Sequence, residues 1–431
     1  MVIGIDLSPL QGPHRKRGIG YTLINLVNNI PADEKAKHRY IFFAVMDLGV
    51  NSLELLDLSD INYEVRPVRP RRYYAAKLPG KLHILASVFN NLLSLKDLYI
   101  GNSRIYDVGS LDSFIQIDQA QCLPRRRGLK KVLFLHDVIP YAIEWDYLAT
   151  YKTVRKIFGY SRKGALRYQA RRWLYAKKAK LNTRRADLLL ANSEHTKNDF
   201  VNLLGVTGKK IVVTPLGVNQ ALDTGNQTID LHQYKKTSWG YLKQPELLNI
   251  NKPFLLFIGG ADGRRKLDDL VTAFNLLRAQ GHDLNLVLAG DSMEGPENIA
   301  SLANRRALKA SSYIDDILFV GFTDDPAREW LYKNALAFVF PSRYEGFGLP
   351  VLEAMAHGCP VISYKNPATE EVAGQSIAYA NDQIDLMETI LEVLNYTKND
   401  RKLIAEKEIR HTKSYSWEKT AANILKLVTR S

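Results

Sequence analysis

Two carboxylates eight residues apart, Glu345 and Glu353, bracket the stretch whose residue types are best suited to chemistry, Pro341 to Glu371. An apolar run, Ala335 to Phe340, predicts a strand that ends at Pro341. Glu345 then falls in a loop with Gly346 and Gly348, and a helix is predicted from Leu349-Pro350 to a C-cap near Gly358. Proline suits the first helical turn because its missing N–H would have had no partner there. The amides of Phe347, Gly348 and Leu349 lie where unpaired donors and aligned peptide dipoles favour an anion such as phosphate. Gly346 and Gly348 would let a ligand approach the backbone closely. By charge alone two carboxylates would repel a phosphate. They make sense beside one if each accepts hydrogen bonds from sugar hydroxyls on either side of a diphosphate. The alternative is a strand–loop–helix unit with two solvated glutamates.

Three other groups sit where strands end. Gly259-Gly-Ala-Asp-Gly-Arg-Arg-Lys266 follows the apolar run Pro253 to Ile258 and precedes a helix with Leu267, Leu270, Val271, Phe274 and Leu277 on one face. A glycine-rich turn with cations at a helix start suits a diphosphate. It is not a P-loop, whose spacing and Ser/Thr are missing. Near the start of the chain, Gln11 to Gly20 contains Gly18 and Gly20, which either bring backbone N–H groups to a phosphate or form a plain turn. His136-Asp137 directly follows the run Lys131 to Leu135, and strand ends are where α/β sheets carry their ligand groups.

The elements that must hold these groups read as alternating strands and helices. Met1 to Leu7, Tyr40 to Val45, Lys131 to Leu135 and Asp187 to Ala191 are short, continuously apolar runs, as are Pro253 to Ile258, Leu286 to Gly290, Ile317 to Val320 and Ala335 to Phe340. Such runs, bounded by helical stretches, predict parallel sheets covered on both faces. Ser193 and Ser416 are placed as helix N-caps. Residues 219 to 251 are polar and without pattern.

The 431 residues carry a formal net charge of +14, and the excess lies in the first half: 33 Lys and Arg against 18 Asp and Glu up to residue 200, then 26 against 27. Residues 151 to 187 hold 13 basic residues and one acid. This stretch predicts a helix with Leu166, Ala170, Trp173 and Leu174 as its apolar positions and Lys163, Arg167 and Arg171 as a basic stripe. With Arg66, Arg69, Arg71, Arg72, Tyr73 and Tyr74 it points to an anionic membrane surface, the alternative being a solvated face. Nucleic acid is not expected, since no recognition motif is found. No run of eighteen apolar residues predicts a membrane span, and no signal peptide is expected from the strand-like opening MVIGIDL. Cys122 and Cys359 have no ligand or pairing spacing and read as buried thiols. The expected location is cytoplasmic, peripheral at the inner face of the membrane.

The string EGFGLPVLEAMAHGCPVI, with Thr369-Glu370-Glu371-Val372 after it, resembles the signature of glycosyltransferase family 4, retaining enzymes of GT-B fold that use nucleotide sugars. The resemblance implies an α/β architecture of two Rossmann-like, doubly wound domains facing a central cleft. Residues 1–214 would bind the acceptor, 215–412 the nucleotide sugar, and 413–431 would form a helix crossing back to the first domain. It implies that Glu345 meets the donor sugar, Glu353 the ribose and Lys266 the diphosphate, with Glu371 in the acidic segment nearby. Many members carry an arginine where this chain has Gly260, so Arg264 or Arg265 must supply the second cation. The string around His136 resembles the His-Asp-x-x-Pro segment of one branch, rich in mannosyl and rhamnosyl transferases of surface polysaccharide assembly, and implies a site role for His136. The expected reaction moves a sugar, first of all mannose from GDP-mannose, to a hydroxyl of a glycan or lipid-linked glycan, with no metal and no cofactor. The alternatives are a soluble sugar-phosphate synthase or phosphorylase of the same fold, or a non-catalytic anion-binding protein. Glu345→Gln is expected to abolish transfer with little loss of fold.

Overall fold

The computed structural model describes residues 1–45, 52–68, 106–121, 123–143, 161–220, 250, 252–290, 293–299 and 301–430. The chain forms two compact units, Met1–Gly217 with Trp417–Ser431, and Val218–Ser416.

The first unit is built on a seven-stranded parallel sheet of order β3-β2-β1-β4-β5-β6-β7. Its strands are β1 (Val2–Asp6), β2 (Arg39–Ala44), β3 (Tyr63–Pro67), β4 (Ser113–Gln116), β5 (Lys130–Leu135), β6 (Leu188–Ala191) and β7 (Ile211–Val213). Strand order reverses between β1 and β4, where Gly4 pairs with Phe114 and Ile5 with Ile115. The central strands are buried along most of their length, as expected when helices cover both faces. Helix α1 (Gly18–Asn28) follows β1 and packs against the last helix of the chain. The long helix α2 (Arg162–Arg185) is capped by Ser161, and α3 (Glu194–Leu204) by Ser193, whose hydroxyl accepts from the Thr196 N–H.

Leu166 and Trp173, read as apolar positions of α2, are 61% and 51% exposed. The helix is anchored instead by Ala165 near its start and by Ala179 and Asn182 near its end, all buried. The Asn182 side chain donates to the carbonyls of Gln119 and Gln121 at 3.0 and 2.5 Å. The side chains of Arg167, Ala170, Arg171 and Leu174 lie outside the described residues, as do residues 151–160, Cys122, and Arg69 to Tyr74.

The second unit repeats the scheme with six parallel strands, order β10-β9-β8-β11-β12-β13. These are β8 (Phe254–Ile258), β9 (Asn285–Ala289), β10 (Ile317–Gly321), β11 (Ala337–Phe340), β12 (Val361–Tyr364) and β13 (Ala378–Ala380). Helix α4 (Leu267–Ala279) buries Leu267, Leu270, Val271, Phe274 and Leu277, the stripe its periodicity predicts. Helix α5 (Asp325–Asn334) precedes β11 and α6 (Leu349–Ala356) follows it. Gly358, at φ 66°, ends α6: its N–H donates to Met355 O and that of Cys359 to Ala354 O, both at 3.0 Å. That is the paired closing pattern a left-handed residue permits. Cys359 is a buried free thiol, and burial pushes its pKa well above the ordinary range.

Helix α7 (Lys398–Thr412) precedes the crossing to the first unit, and α8 (Trp417–Thr429) belongs to that unit. Trp417 packs edge-on to Tyr21 at 6.1 Å, Thr420 donates to Pro215 O at 2.8 Å, and Lys130 to Leu427 O at 2.9 Å. No helix among the described residues is long and apolar enough to cross a membrane.

Candidate active site

In the second unit the strand order reverses between the adjacent strands β8 and β11. The crevice beyond the carboxyl ends of such a pair is where open α/β sheets bind ligands. The turn Gly259–Lys266 follows β8 and the loop Pro341–Gly348 follows β11, so two segments about eighty residues apart meet there.

Glu345 is buried, and one oxygen gathers three donors: Arg264 Nη1 in a very short ion pair, Arg265 Nε at 3.2 Å and Ser342 Oγ at 2.9 Å. Burial would push the carboxyl up, but Arg264 and Arg265, with the Ser342 hydroxyl, outweigh it and hold the pKa below its usual value. Glu345 is therefore ionised. Arg264 is only 5% exposed and also donates to Tyr344 O at 2.7 Å. This ties the two loops together and corrects the expectation that Glu345→Gln leaves the fold intact, because Arg264 would lose its buried counter-ion.

The arginine pair divides the two tasks left open by the sequence. Arg264 points inward to hold the β11 loop. Arg265 lies over the Phe340 ring at 5.3 Å, with Nη1 donating to Gly260 O at 3.3 Å. A Cβ on Gly259 would come within 2.3 Å of that guanidinium, so glycine there is what lets Arg265 lie across the turn. Lys266 adopts φ 44°, ψ 45°, a left-handed conformation costly for a residue with a Cβ. Its ammonium pairs with Asp268 at 2.8 Å and Asp269 at 3.2 Å.

On the other loop Gly348 takes φ 96° at the N-terminus of α6. Among the described residues the amides of Phe347, Gly348 and Leu349 have no acceptor, and Pro350 has no amide to offer. These are the unfilled donors of a helix start. Glu353, one turn inside α6, is buried and accepts from the Tyr332 hydroxyl at 3.1 Å, with Arg328 Nε at 3.6 Å. Glu371 is exposed and close enough to Tyr415 to raise the phenol pKa together with burial.

His136, Gly18 and Gly20 belong to the first unit. His136 is buried, and its Nε2 donates to Ile117 O at 3.0 Å, which leaves Nδ1 as the acceptor. Burial lowers its pKa to about 4, so the imidazole is neutral near pH 7. Its own carbonyl accepts from Asn192 and Thr196, and its N–H donates to Gln119. Gly18 opens α1. A Cβ on Gly20 would lie 2.4 Å from His14 O, so this glycine is needed for the turn to pack against the helix.

Sequence reasoning missed Ser342, Tyr332, Asp269 and Tyr364, which touch the site residues without carrying a motif of their own. Ser342 alone had a usable signal, its place one residue past a strand end. Among the described residues no group of three or more His, Cys, Asp or Glu side chains could hold a metal ion.

The chain matches two family models, Glycosyltransferase Family 4 over residues 18–222 and Glycosyl transferases group 1 over residues 242–410. O-antigen chain mannosyltransferase B of Escherichia coli is 26% identical over 238 residues, 54% of this chain and 58% of that protein. The serotype-specific mannosyltransferase WbdA of Escherichia coli is 28% identical over 241 residues, 55% of this chain and 28% of that protein. The match therefore spans about half of this chain and less than two thirds of either relative. Anabaena Alr3699/HepE, solved in complex with UDP-glucose, superposes with a TM-score of 0.60 at 16% identity, covering 99% of each chain. WaaG, a glycosyltransferase involved in lipopolysaccharide biosynthesis, gives 0.57 at 15% identity over the whole of both chains. Both likenesses are of fold. With a Family 4 domain in its first half, a group 1 domain in its second and a doubly wound sheet in each, the chain belongs to the glycosyltransferases of GT-B type.

Proposed function

We propose that the protein transfers a sugar, with retained anomeric configuration and without a metal ion, from a nucleotide sugar to a hydroxyl of a glycan or lipid-linked glycan. The observation that carries this reading is the meeting of the Arg265–Lys266 turn with the Glu345–Leu349 loop at the β8/β11 switch point. Lys266 and Arg265 would neutralise the leaving diphosphate together with the amides of Phe347, Gly348 and Leu349. Glu345 and Glu353 would accept hydroxyls of the donor sugar and the ribose. His136, neutral with Nδ1 as acceptor, would take a hydrogen bond from a substrate hydroxyl. The names of the two Escherichia coli relatives favour mannose, and GDP-mannose is the first donor to try.

The acceptor would be met at the inner face of the membrane. Helix α2 carries ten Lys and Arg and no acid, and it exposes Leu166 and Trp173 on the same surface helix as Lys163 and Lys177. The Lys177 ammonium stands 5.6 Å from the Trp173 ring centroid. Basic residues near anionic lipid contribute about 1 kcal/mol each, and an exposed indole suits the headgroup level.

Thermal-shift measurements against GDP-, UDP-, dTDP- and ADP-sugars in the presence of EDTA test the donor reading. A bound donor at a hundred times its Kd should stabilise by about 2.7 kcal/mol. Failure of every nucleotide sugar to stabilise the protein, or transfer that stops on chelation, overturns the scheme.

A further inference from the structure

Lys266 is held by more than its own strained backbone. Of the two carboxylates that grip its ammonium, Asp269 is itself fixed. Asp269 is buried, its Oδ1 faces Lys266 at 3.2 Å and its Oδ2 accepts from the Tyr364 hydroxyl at 2.8 Å. Tyr364 closes β12 and is 2% exposed, so its hydroxyl is delivered by a sheet strand rather than by a loop. Burial, then the hydrogen bond to Asp269, pushes that phenol well above its ordinary range, so it remains a donor. Asp268 is held differently. Its Oδ2 pairs with Lys266 at 2.8 Å, but its Oδ1 is buried without a partner.

We propose that Asp269 and Tyr364 are positioning residues: a rigid brace from the end of β12 that aims the Lys266 ammonium at the donor diphosphate, while Asp268 is a counter-ion that Lys266 exchanges for the phosphates. The inference rests on Lys266 being a diphosphate ligand and adds the residues that place it. The two acids then act with opposite sign. Plain electrostatics says that removing either negative charge beside a diphosphate should tighten its binding. The brace says that losing Asp268 tightens it and losing Asp269 weakens it, because a lysine has several rotamers and gives up entropy to hold one.

The test is calorimetric titration of the full chain with GDP and guanosine, and with UDP and uridine, for wild type and for Tyr364→Phe, Asp269→Asn, Asp268→Asn and Lys266→Ala. Tyr364→Phe keeps the ring and loses one hydrogen bond. It should weaken the diphosphate about tenfold, the size of one net hydrogen bond, and leave the nucleoside within about twofold. Asp269→Asn should weaken the diphosphate likewise, and Asp268→Asn should bind it at least as tightly as wild type. If Lys266→Ala leaves diphosphate affinity unchanged, or wild type binds neither diphosphate, the underlying reading of Lys266 fails and the brace with it. If Lys266→Ala weakens binding but Tyr364→Phe and Asp269→Asn do not, the brace alone is refuted. Parallel losses for nucleoside and diphosphate would mean a merely structural role and overturn it too.

Discussion

Glu345→Gln is the most informative single change, because Glu345 is both the carboxylate proposed to meet the donor sugar and the counter-ion of a buried arginine. Arg264, Arg265 and Ser342 all donate to one carboxylate oxygen. The pair is nearly dry, with side-chain exposures of 4% for Arg264 and 9% for Glu345, so solvent screening does little to reduce it. Removing one partner of such a pair costs about 3–5 kcal/mol, chiefly because the other charge is left buried and uncompensated. An amide can still accept from Ser342, so the lower end, about 3 kcal/mol, is expected for Gln. Arg264→Met should cost a similar amount, and the double variant much less than the sum, with a coupling of about 2–3 kcal/mol. The chain has two units, so a single unfolding free energy is the wrong readout. Native-state hydrogen exchange of the β8 and β11 amides reports on the second unit directly. The double variant should lose little more of that protection than either single change and show none of the transferase activity, since the pair stabilises the loop whereas, on the proposed reading, the carboxylate serves the substrate. A Glu345→Gln protein that loses less than about 1 kcal/mol of local stability, or shows no coupling to Arg264, would refute the reasoning.

Lys266→Gly and Lys266→Ala both remove the amine, so their difference isolates the backbone: at φ 44° the glycine variant should be the more stable by about 1 kcal/mol, and equal melting would contradict the strain. His136 carries a pKa of about 4 in the folded state, below its ordinary 6.5. The unfolded chain therefore takes up a proton first on acidification, and folding should lose about 3 kcal/mol between pH 6.5 and 4, a loss that a neutral replacement such as His136→Gln flattens. An identical pH slope in that variant would remove His136 as the cause. Reversing Lys163, Arg167 and Arg171 to Glu, or Trp173→Ala, should release the protein from anionic vesicles, the former more easily as salt rises. Unchanged vesicle binding, or equal binding to neutral lipid, would return α2 to a solvated face.

Much of the second unit could be read from local pattern. The continuous apolar runs of β8 to β11 are what strands buried on both faces require, and the stripe of α4 fell on its buried side. The loop after β11 was visible because glycine, proline and glutamate there have conformational and chemical meaning independent of their neighbours. In the first unit β4 was missed. Its four residues, Ser113 to Gln116, begin and end on polar side chains that are nonetheless buried, so no hydrophobic period marks it. Gln116 donates instead to the buried carboxylate of Asp6 at 2.6 Å, a partner 110 residues away.

Helix periodicity in α2 correctly grouped Leu166 with Trp173, yet such a pattern says only that residues share a side and not what that side meets. Here it meets solvent. The same limit applies to charges. The sequence lays out the acids and bases of the Gly259–Lys266 turn and of the Glu345 loop, together with the glycines and the helix starts that make each a plausible anion site. It does not say that Arg264 would turn inward to Glu345 while Arg265 lies across Phe340, or that Tyr364 would reach Asp269. Those pairings span 75 to 95 residues and follow from strand order. Placing β8 beside β11, and β12 beside β11, brings the three carboxyl ends together at one end of the parallel sheet, and no property of the local chain encodes that adjacency.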